Sequence, residues 1–174
     1  PISTAVLNIQ INPRKRKKKK MEQQKILIDN QQKMKLQTQP IRRKTRQILS
    51  ALGFNAHEVS IVITDDQQIR KLNNAYRKMD KPTNVLAFPM QEGEFTQVTP
   101  GLLGDVVISC DTALKEAQLA DITLENRISQ LLVHGILHLA GFDHEAGDRA
   151  AADMEAKSLE LLKIIEPNSD LAAF

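Results

Sequence analysis

The chain of 174 residues has a single cysteine, Cys110, and its hydrophobic residues, 41% of the total, never form a long unbroken run. A lone cysteine excludes an internal disulfide and suits a reducing compartment, so we expect a cytoplasmic protein. No window reaches the roughly 18 consecutive apolar residues of a membrane-spanning helix, and we expect no membrane association. The length fits one domain, or one domain with an extension.

Acidic residues are absent from one end, because the first 20 residues contain none. That end includes RKRKKKK at residues 14–20, and outside this run the chain has 17 basic against 21 acidic residues. We expect residues 1–20 to be a disordered basic extension, not a secretory signal since their apolar part precedes the charges, and residues 21–170 to form a single domain. The uneven charge indicates a polyanionic partner, although a solvated tail explains the lysine run equally well.

The apolar pattern predicts the elements of this domain. Strands are expected at KILID, at EVSIVIT with its alternating Val59, Ile61 and Ile63, and at LLGDVVIS. Helices are expected between Pro40 and Gly53, after the capping residues Asp65 and Asp66, and at residues 148–165. Because these elements lack a regular βαβ alternation, we predict an α+β fold, a small mixed β-sheet covered by helices with a zincin-like metal helix.

The motif HGILHLAGFDH, residues 134–144, indicates a metal site. His134 and His138 are four residues apart on a predicted helix, so their rings project from one face. Gly141 can end the helix and turn the chain back, which brings His144 toward the other two. Three imidazoles with a fourth position left open are typical of catalytic zinc; nickel, iron and copper are alternatives.

The motif lacks the glutamate of a metzincin protease, H-E-x-x-H-x-x-G-x-x-H, because Gly135 occupies that position. Gly135 lies within the apolar stripe of its helix, where either ordinary tight packing or the close approach of a neighbouring strand or of substrate explains a glycine. Without the carboxylate of a peptidase, a metal-bound water and a cation that stabilises phosphate charge can still cleave a phosphodiester. Arg77, with Lys78 and Lys81 beside it, is the cation that the sequence offers.

Three motifs in this order resemble the YbeY-type endoribonucleases. HGILHLAGFDH is similar to the family signature HGxLHLxGxDH, YRKMDKPTNVLAFP to YRxxDxPTDVLSFP, and LLGDVVIS to LGDIxIS. The resemblance covers about residues 25–165. Asn84 and Ala87 depart from it, since the family more often has aspartate and serine there, and neither is a predicted ligand.

The resemblance implies a zinc-dependent endoribonuclease that cuts single-stranded RNA, matures the 3′ end of small-subunit rRNA and serves ribosome quality control. Small-subunit proteins and an Era-type GTPase would be its partners. His134, His138 and His144 match the metal ligands, with His134 and Arg77 as the catalytic residues. Asp143 and Asp105 are candidates for orienting a histidine, with helix capping the alternative for Asp143. The further RNA-binding candidates are Arg42, Arg43, Lys44, Arg46, Lys78 and Lys81.

Two other functions stay open. A zincin-like metallopeptidase would need Glu145, Asp143 or Asp105 as its base. A non-catalytic ribosome-assembly factor would use zinc only to hold the fold together, which predicts a fourth protein ligand. Cys110 directly follows a strand and is expected to be buried, and His57 is expected at the surface, so neither supplies that ligand.

Overall fold

The computed structural model describes residues 24–90, 101–167 and 170–173; the predicted basic extension, residues 1–20, lies outside them. The strands are β1 (Lys25–Asn30), β2 (Glu58–Thr64), β3 (Val85–Pro89) and β4 (Leu102–Ser109). The helices are α1 (Thr38–Ala51), α2 (Asp66–Arg77), α3 (Cys110–Leu119), α4 (Leu124–Leu139) and α5 (Asp148–Ile165), and a 3₁₀ turn spans His144–Ala146.

The four strands form one mixed sheet in the order β1-β2-β4-β3. Strands β1, β2 and β4 are parallel to one another, whereas β3 runs antiparallel to β4 and is an edge strand. The predicted α+β class with a small mixed sheet is therefore confirmed. The predicted alternation in β2 is also confirmed, because Val59, Ile61 and Ile63 are all fully buried.

The two faces of the sheet are covered unequally. The larger core lies on the face that we call the thick face, where α1 and α4 pack over residues such as Ile61 and Val106 and α5 packs against these two helices. The opposite thin face has a small cluster of Ile69 from α2 with Leu86 and Val107. Because side chains alternate along a strand, successive residues of β3 and of β4 point in turn to the thick face and to the thin face.

Helix α4 is the central helix of the thick face, and every residue from 128 to 137 is buried. Gly135 lets this helix approach the sheet, since a Cβ built on it would lie only 2.6 Å from Val106 Cγ1 and 3.4 Å from Val85 Cγ2. The glycine is therefore explained by tight packing of the helix against neighbouring strands.

Side chains cap the first turn of several helices. Asp65 accepts a hydrogen bond from the Gln68 backbone N–H and caps α2, and Thr123 caps α4 in the same way through Asn126. Cys110 is buried, as expected, at the first position of α3.

Two expectations about exposure are wrong. His57 is half-buried, with its ring edge-on to Phe54 at a centroid distance of 4.9 Å. Lys44 is buried on α1, where its ammonium pairs with Glu166 and donates to Ser129 Oγ at 2.9 Å. An ammonium enclosed in this way cannot reach an RNA phosphate, so Lys44 is withdrawn from the RNA-binding candidates.

The helices can be compared with those that cross membranes. None in the described parts of the chain combines the length and the apolar character that crossing a bilayer requires.

Candidate metal centre

The three histidines of the motif meet at one point. The Nε2 atoms of His134 and His138 are 3.1 Å apart, and one ligand atom from each of the three rings lies within 4.8 Å of the other two. The ring of His144 lies 5.2 Å from that of His134 and 5.1 Å from that of His138, measured between centroids. These distances bring three potential nitrogen ligands around a common centre.

Helix geometry and a glycine turn produce this arrangement. His134 and His138 lie one turn apart on the last part of α4. Gly141 then has φ +88°, a left-handed conformation that a residue with a side chain rarely adopts. Its N–H donates to the His138 carbonyl and that of Phe142 donates to Leu137, which ends the helix and reverses the chain. His144 returns on the 3₁₀ turn that follows.

Burial keeps two of the imidazoles neutral. Burial, followed by the nearby charges of His138, His144 and Arg127, lowers the pKa of His134 from 6.5 to about 3. Burial and the neighbouring His144 also lower the pKa of His138, although the carboxylates of Asp143 and Glu145 partly oppose the shift. Neutral imidazole is the form that binds a metal ion, so both rings are ready to act as ligands at neutral pH.

The donor set fits a zinc ion. Two nitrogens bound to one tetrahedral zinc at about 2.0–2.1 Å lie about 3.4 Å apart, close to the observed 3.1 Å between the Nε2 atoms. Within the described residues the cluster has no fourth His, Cys, Asp or Glu member. The three histidines can therefore hold a metal ion and leave a coordination position open.

The cluster lies in a cleft of about 480 Å³ whose opposite wall is the edge strand β3. Val85, Ala87 and Pro89 line this wall, and Arg77 reaches the same cleft from the end of α2. Arg77 comes from the thin face, but it joins the histidines because β3 is the last strand of the sheet and leaves its edge uncovered. Its Nη2 lies 3.9 Å from Glu145 Oε1, a weak contact between two side chains that are both more than half exposed.

The two aspartates predicted to orient a histidine make other contacts. Asp143 lines the cleft, but its Oδ1 accepts a hydrogen bond from the Glu145 N–H at 2.9 Å and caps the 3₁₀ turn, the alternative expected for it. Asp105 pairs with Phe88 across β3 and β4. Since Val106 contacts Gly135 of α4, strand alternation points Asp105 toward the thin face, away from the histidines.

The predicted RNA-binding residues divide into two groups, neither of which lines the cleft. On α1, Arg43 and Arg46 are exposed, whereas the Arg42 guanidinium donates to the Ile26 carbonyl. Lys78 and Lys81 are exposed beside Arg77.

Asn84, which the motifs did not indicate as a functional residue, lines the cleft beside Val85. Its Nδ2 donates to Glu116 Oε1 at 2.9 Å, and Arg127 donates to the same carboxylate at 2.9 Å. Arg127 also donates to Gln130, one turn before His134 on α4. The asparagine thus connects the start of β3 to α4 through Glu116. The motif contained no signal for this beyond the departure from aspartate.

Comparison with known proteins agrees with this geometry. The family described as Endoribonuclease YbeY matches residues 16–166. An Endoribonuclease YbeY from Geobacter metallireducens is 46% identical over 144 residues, covering 82% of this chain and 96% of the relative, and one from Aquifex aeolicus is 48% identical over 128 residues, covering 74% and 83%. The solution structure of TM1509 from Thermotoga maritima superposes with a TM-score of 0.60 at 26% identity, covering 80% of this chain and 88% of that one. The chain belongs to the endoribonuclease YbeY family.

Proposed function

We propose that this chain is a zinc-dependent endoribonuclease that cleaves single-stranded RNA, with His134, His138 and His144 as the metal ligands. The observation that carries the proposal is the meeting of three histidine nitrogens and one arginine in a single cleft. The relatives named Endoribonuclease YbeY support RNA as the substrate.

The chemistry divides between a metal ion and the side chains of the cleft. A zinc ion held by the three histidines would supply a nucleophile at neutral pH by lowering the pKa of a coordinated water toward about 7. Arg77 binds a phosphate oxygen and stabilises the negative charge that grows on the phosphate during attack, because a guanidinium donates to such oxygens in pairs. The weak contact with Glu145 leaves the Arg77 side chain more than half exposed, so the guanidinium can reach a phosphate.

The resemblance of the motifs supports a narrower biological role. We propose maturation of the 3′ end of small-subunit rRNA and ribosome quality control in the cytoplasm, with small-subunit proteins and an Era-type GTPase as partners. The exposed cations Arg43, Arg46, Lys78 and Lys81 are suited to contact RNA outside the cleft.

Paired measurements of metal content and RNA cleavage test the enzymatic proposal. We expect His134→Ala to lose both the metal and the cleavage of a single-stranded oligonucleotide. We expect Arg77→Ala to retain the metal and to lose cleavage by about 100-fold, the effect of removing one charge-stabilising donor. Lys71→Ala is the control, because Lys71 is an exposed cation on the same helix and does not line the cleft. Full RNase activity in metal-free protein would overturn the proposal.

The choice of substrate distinguishes the peptidase alternative from the proposed endoribonuclease. Among the carboxylates considered as its base, Glu145 is an exposed group at the cleft that contacts Arg77, and Asp143 caps the 3₁₀ turn. Metal-dependent cleavage of a peptide by protein that leaves single-stranded RNA intact would favour this alternative. A non-catalytic role would instead require metal retention with no cleavage of either substrate.

A further inference from the structure

An exposed aromatic pair lies at the end of α2. Tyr76 is 67% exposed on the last turn of the helix, and its ring meets Phe88 of β3 edge to face, with 4.9 Å between centroids and 61° between planes. Phe88 itself is half-buried against the small core of the thin face. The pair therefore has a fixed inner ring and an outer ring that solvent reaches.

The position of Tyr76 is unusual for the helix that carries it. Ile69 and Leu72 precede it on the same stripe of α2 and pack onto the sheet, but the stripe reaches the end of the thin face at Tyr76. An aromatic ring left two-thirds exposed contributes little to the stability of the core. Two further apolar side chains are exposed close to the pair in sequence. Met79, near Tyr76, is 37% exposed, and Met90, near Phe88, is 45% exposed.

The pair is continuous with the histidine cleft. Arg77 follows Tyr76 and lines that cleft, as do Ala87 and Pro89 on either side of Phe88. Because side chains alternate along β3, Ala87 faces the thick face and the histidines, whereas Phe88 faces Tyr76. A strand of nucleic acid that leaves the cleft across the edge of β3 reaches the aromatic pair next.

The charges around the pair suit a polyanion. Arg77, Lys78 and Lys81 are exposed within five residues of Tyr76. The nearest carboxylate in sequence, Asp80, is paired with Arg70 through two hydrogen bonds of 2.8 Å. Exposed aromatic rings beside a row of cations are the features with which proteins bind single-stranded nucleic acid, because a base can stack on the ring while its phosphates contact the cations.

We propose that Tyr76, supported by Phe88, is the platform on which one unpaired base of the RNA stacks while the neighbouring phosphate lies at Arg77 and the histidines. The inference rests on the proposed function and adds a binding residue to it. It also gives a reason for single-strand specificity, since a base within a duplex already has both faces stacked and cannot offer one to Tyr76.

Kinetics with metal-loaded protein test this role. We expect Tyr76→Ala to raise the KM for a single-stranded oligonucleotide about 10-fold, with a smaller change in kcat, and Tyr76→Phe to stay within about twofold because the ring is retained. Leu119→Ala is the control, an equally simple truncation at a side chain that is 88% exposed on α3. Unchanged KM in a folded Tyr76→Ala protein would overturn the proposal and leave a protein partner as the occupant of this surface.

Fluorescence gives a direct second readout. The chain has one tyrosine and no tryptophan, so its intrinsic fluorescence comes from Tyr76. Titration of metal-stripped wild-type protein with the same oligonucleotide should quench this emission, and an oligonucleotide with abasic sites should quench it far less. Equal quenching by both, or none by either, would contradict stacking. Base-dependent quenching by wild-type protein that cleaves no RNA would contradict the proposed function but support the stacking of a base on Tyr76.

Discussion

The thick and thin faces of the sheet contribute different parts of the candidate site. The thick face holds α4 within the main core, and the two histidines on this helix take their positions from close packing against β3 and β4. The thin face has a small core around Ile69, Leu86 and Val107 and presents Arg77 and Tyr76 largely to solvent. Metal ligands need fixed geometry, whereas groups that receive a long polymer need access. The edge of β3 is where the two requirements meet.

The largest stability loss should follow truncation of Lys44 on the thick face. Lys44→Ala removes the ammonium that faces the mostly buried Glu166, and we expect a loss of about 3 kcal/mol in the free energy of unfolding. Denaturant unfolding measures this. Arg43→Ala and Arg46→Ala, at exposed positions on the same helix, should change stability by less than about 0.5 kcal/mol. A Lys44→Ala variant with unchanged stability and weaker RNA binding would contradict this difference between the two faces.

Loss of His144 should weaken metal binding while leaving the fold intact. This residue is exposed, unlike His134, so we expect His144→Ala to raise the Kd for zinc at least about 100-fold, equal to about 2.7 kcal/mol. Zinc titration with a competing chelator measures the change, and His57→Gln serves as the histidine outside the site. An unaltered zinc affinity would show that His144 is not a ligand.

A methyl group at Gly135 should test how tightly α4 packs on the sheet. Contact with Val106 in Gly135→Ala costs about 1–3 kcal/mol, offset in part by about 1 kcal/mol of helix propensity, so a net loss of up to about 2 kcal/mol is expected. Combination with Val106→Ala should recover part of this loss in a double-mutant cycle. A stabilised Gly135→Ala protein would contradict the close approach.

The smallest effect concerns Asp66 at the start of α2. Burial opposes ionisation, but hydrogen bonds from Lys115, Ser109 and Thr112 outweigh it and lower the pKa of this carboxyl below 3.8. A lowered folded-state pKa means that the carboxylate stabilises the fold above the ordinary pKa and loses this contribution as the pH falls through the lowered value.

We therefore expect Asp66→Asn to cost about 1 kcal/mol near neutral pH. Unfolding measured from about pH 6 down to about pH 2 should show the difference between the two proteins shrinking below about pH 4. A difference that grows as the pH falls would have the wrong sign.

Much of the local structure could be predicted because its causes are local. Apolar alternation specified β2, and the predicted bounds of α5, residues 148–165, are those observed. The glycine turn and the spacing of three histidines predicted a cluster, because helix periodicity and a left-handed residue determine most of its geometry.

The remainder depends on contacts between distant parts of the chain. Lys44 resembles its exposed neighbours in sequence, and only its pairing with Glu166, 122 residues away, removes it from the surface. The sheet order places β3 at an edge, and this alone brings Arg77 from the thin face to the histidines. Neither fact can be obtained from the periodicity of a segment.

Removal and return of the metal tests the central claim most directly. Wild-type protein stripped with a chelator should cleave no single-stranded RNA, and cleavage should return in proportion to added zinc until one equivalent per chain is bound. Stripped His144→Ala protein should not recover at the same zinc concentration. Undiminished cleavage by wild-type protein that contains no metal would contradict the account.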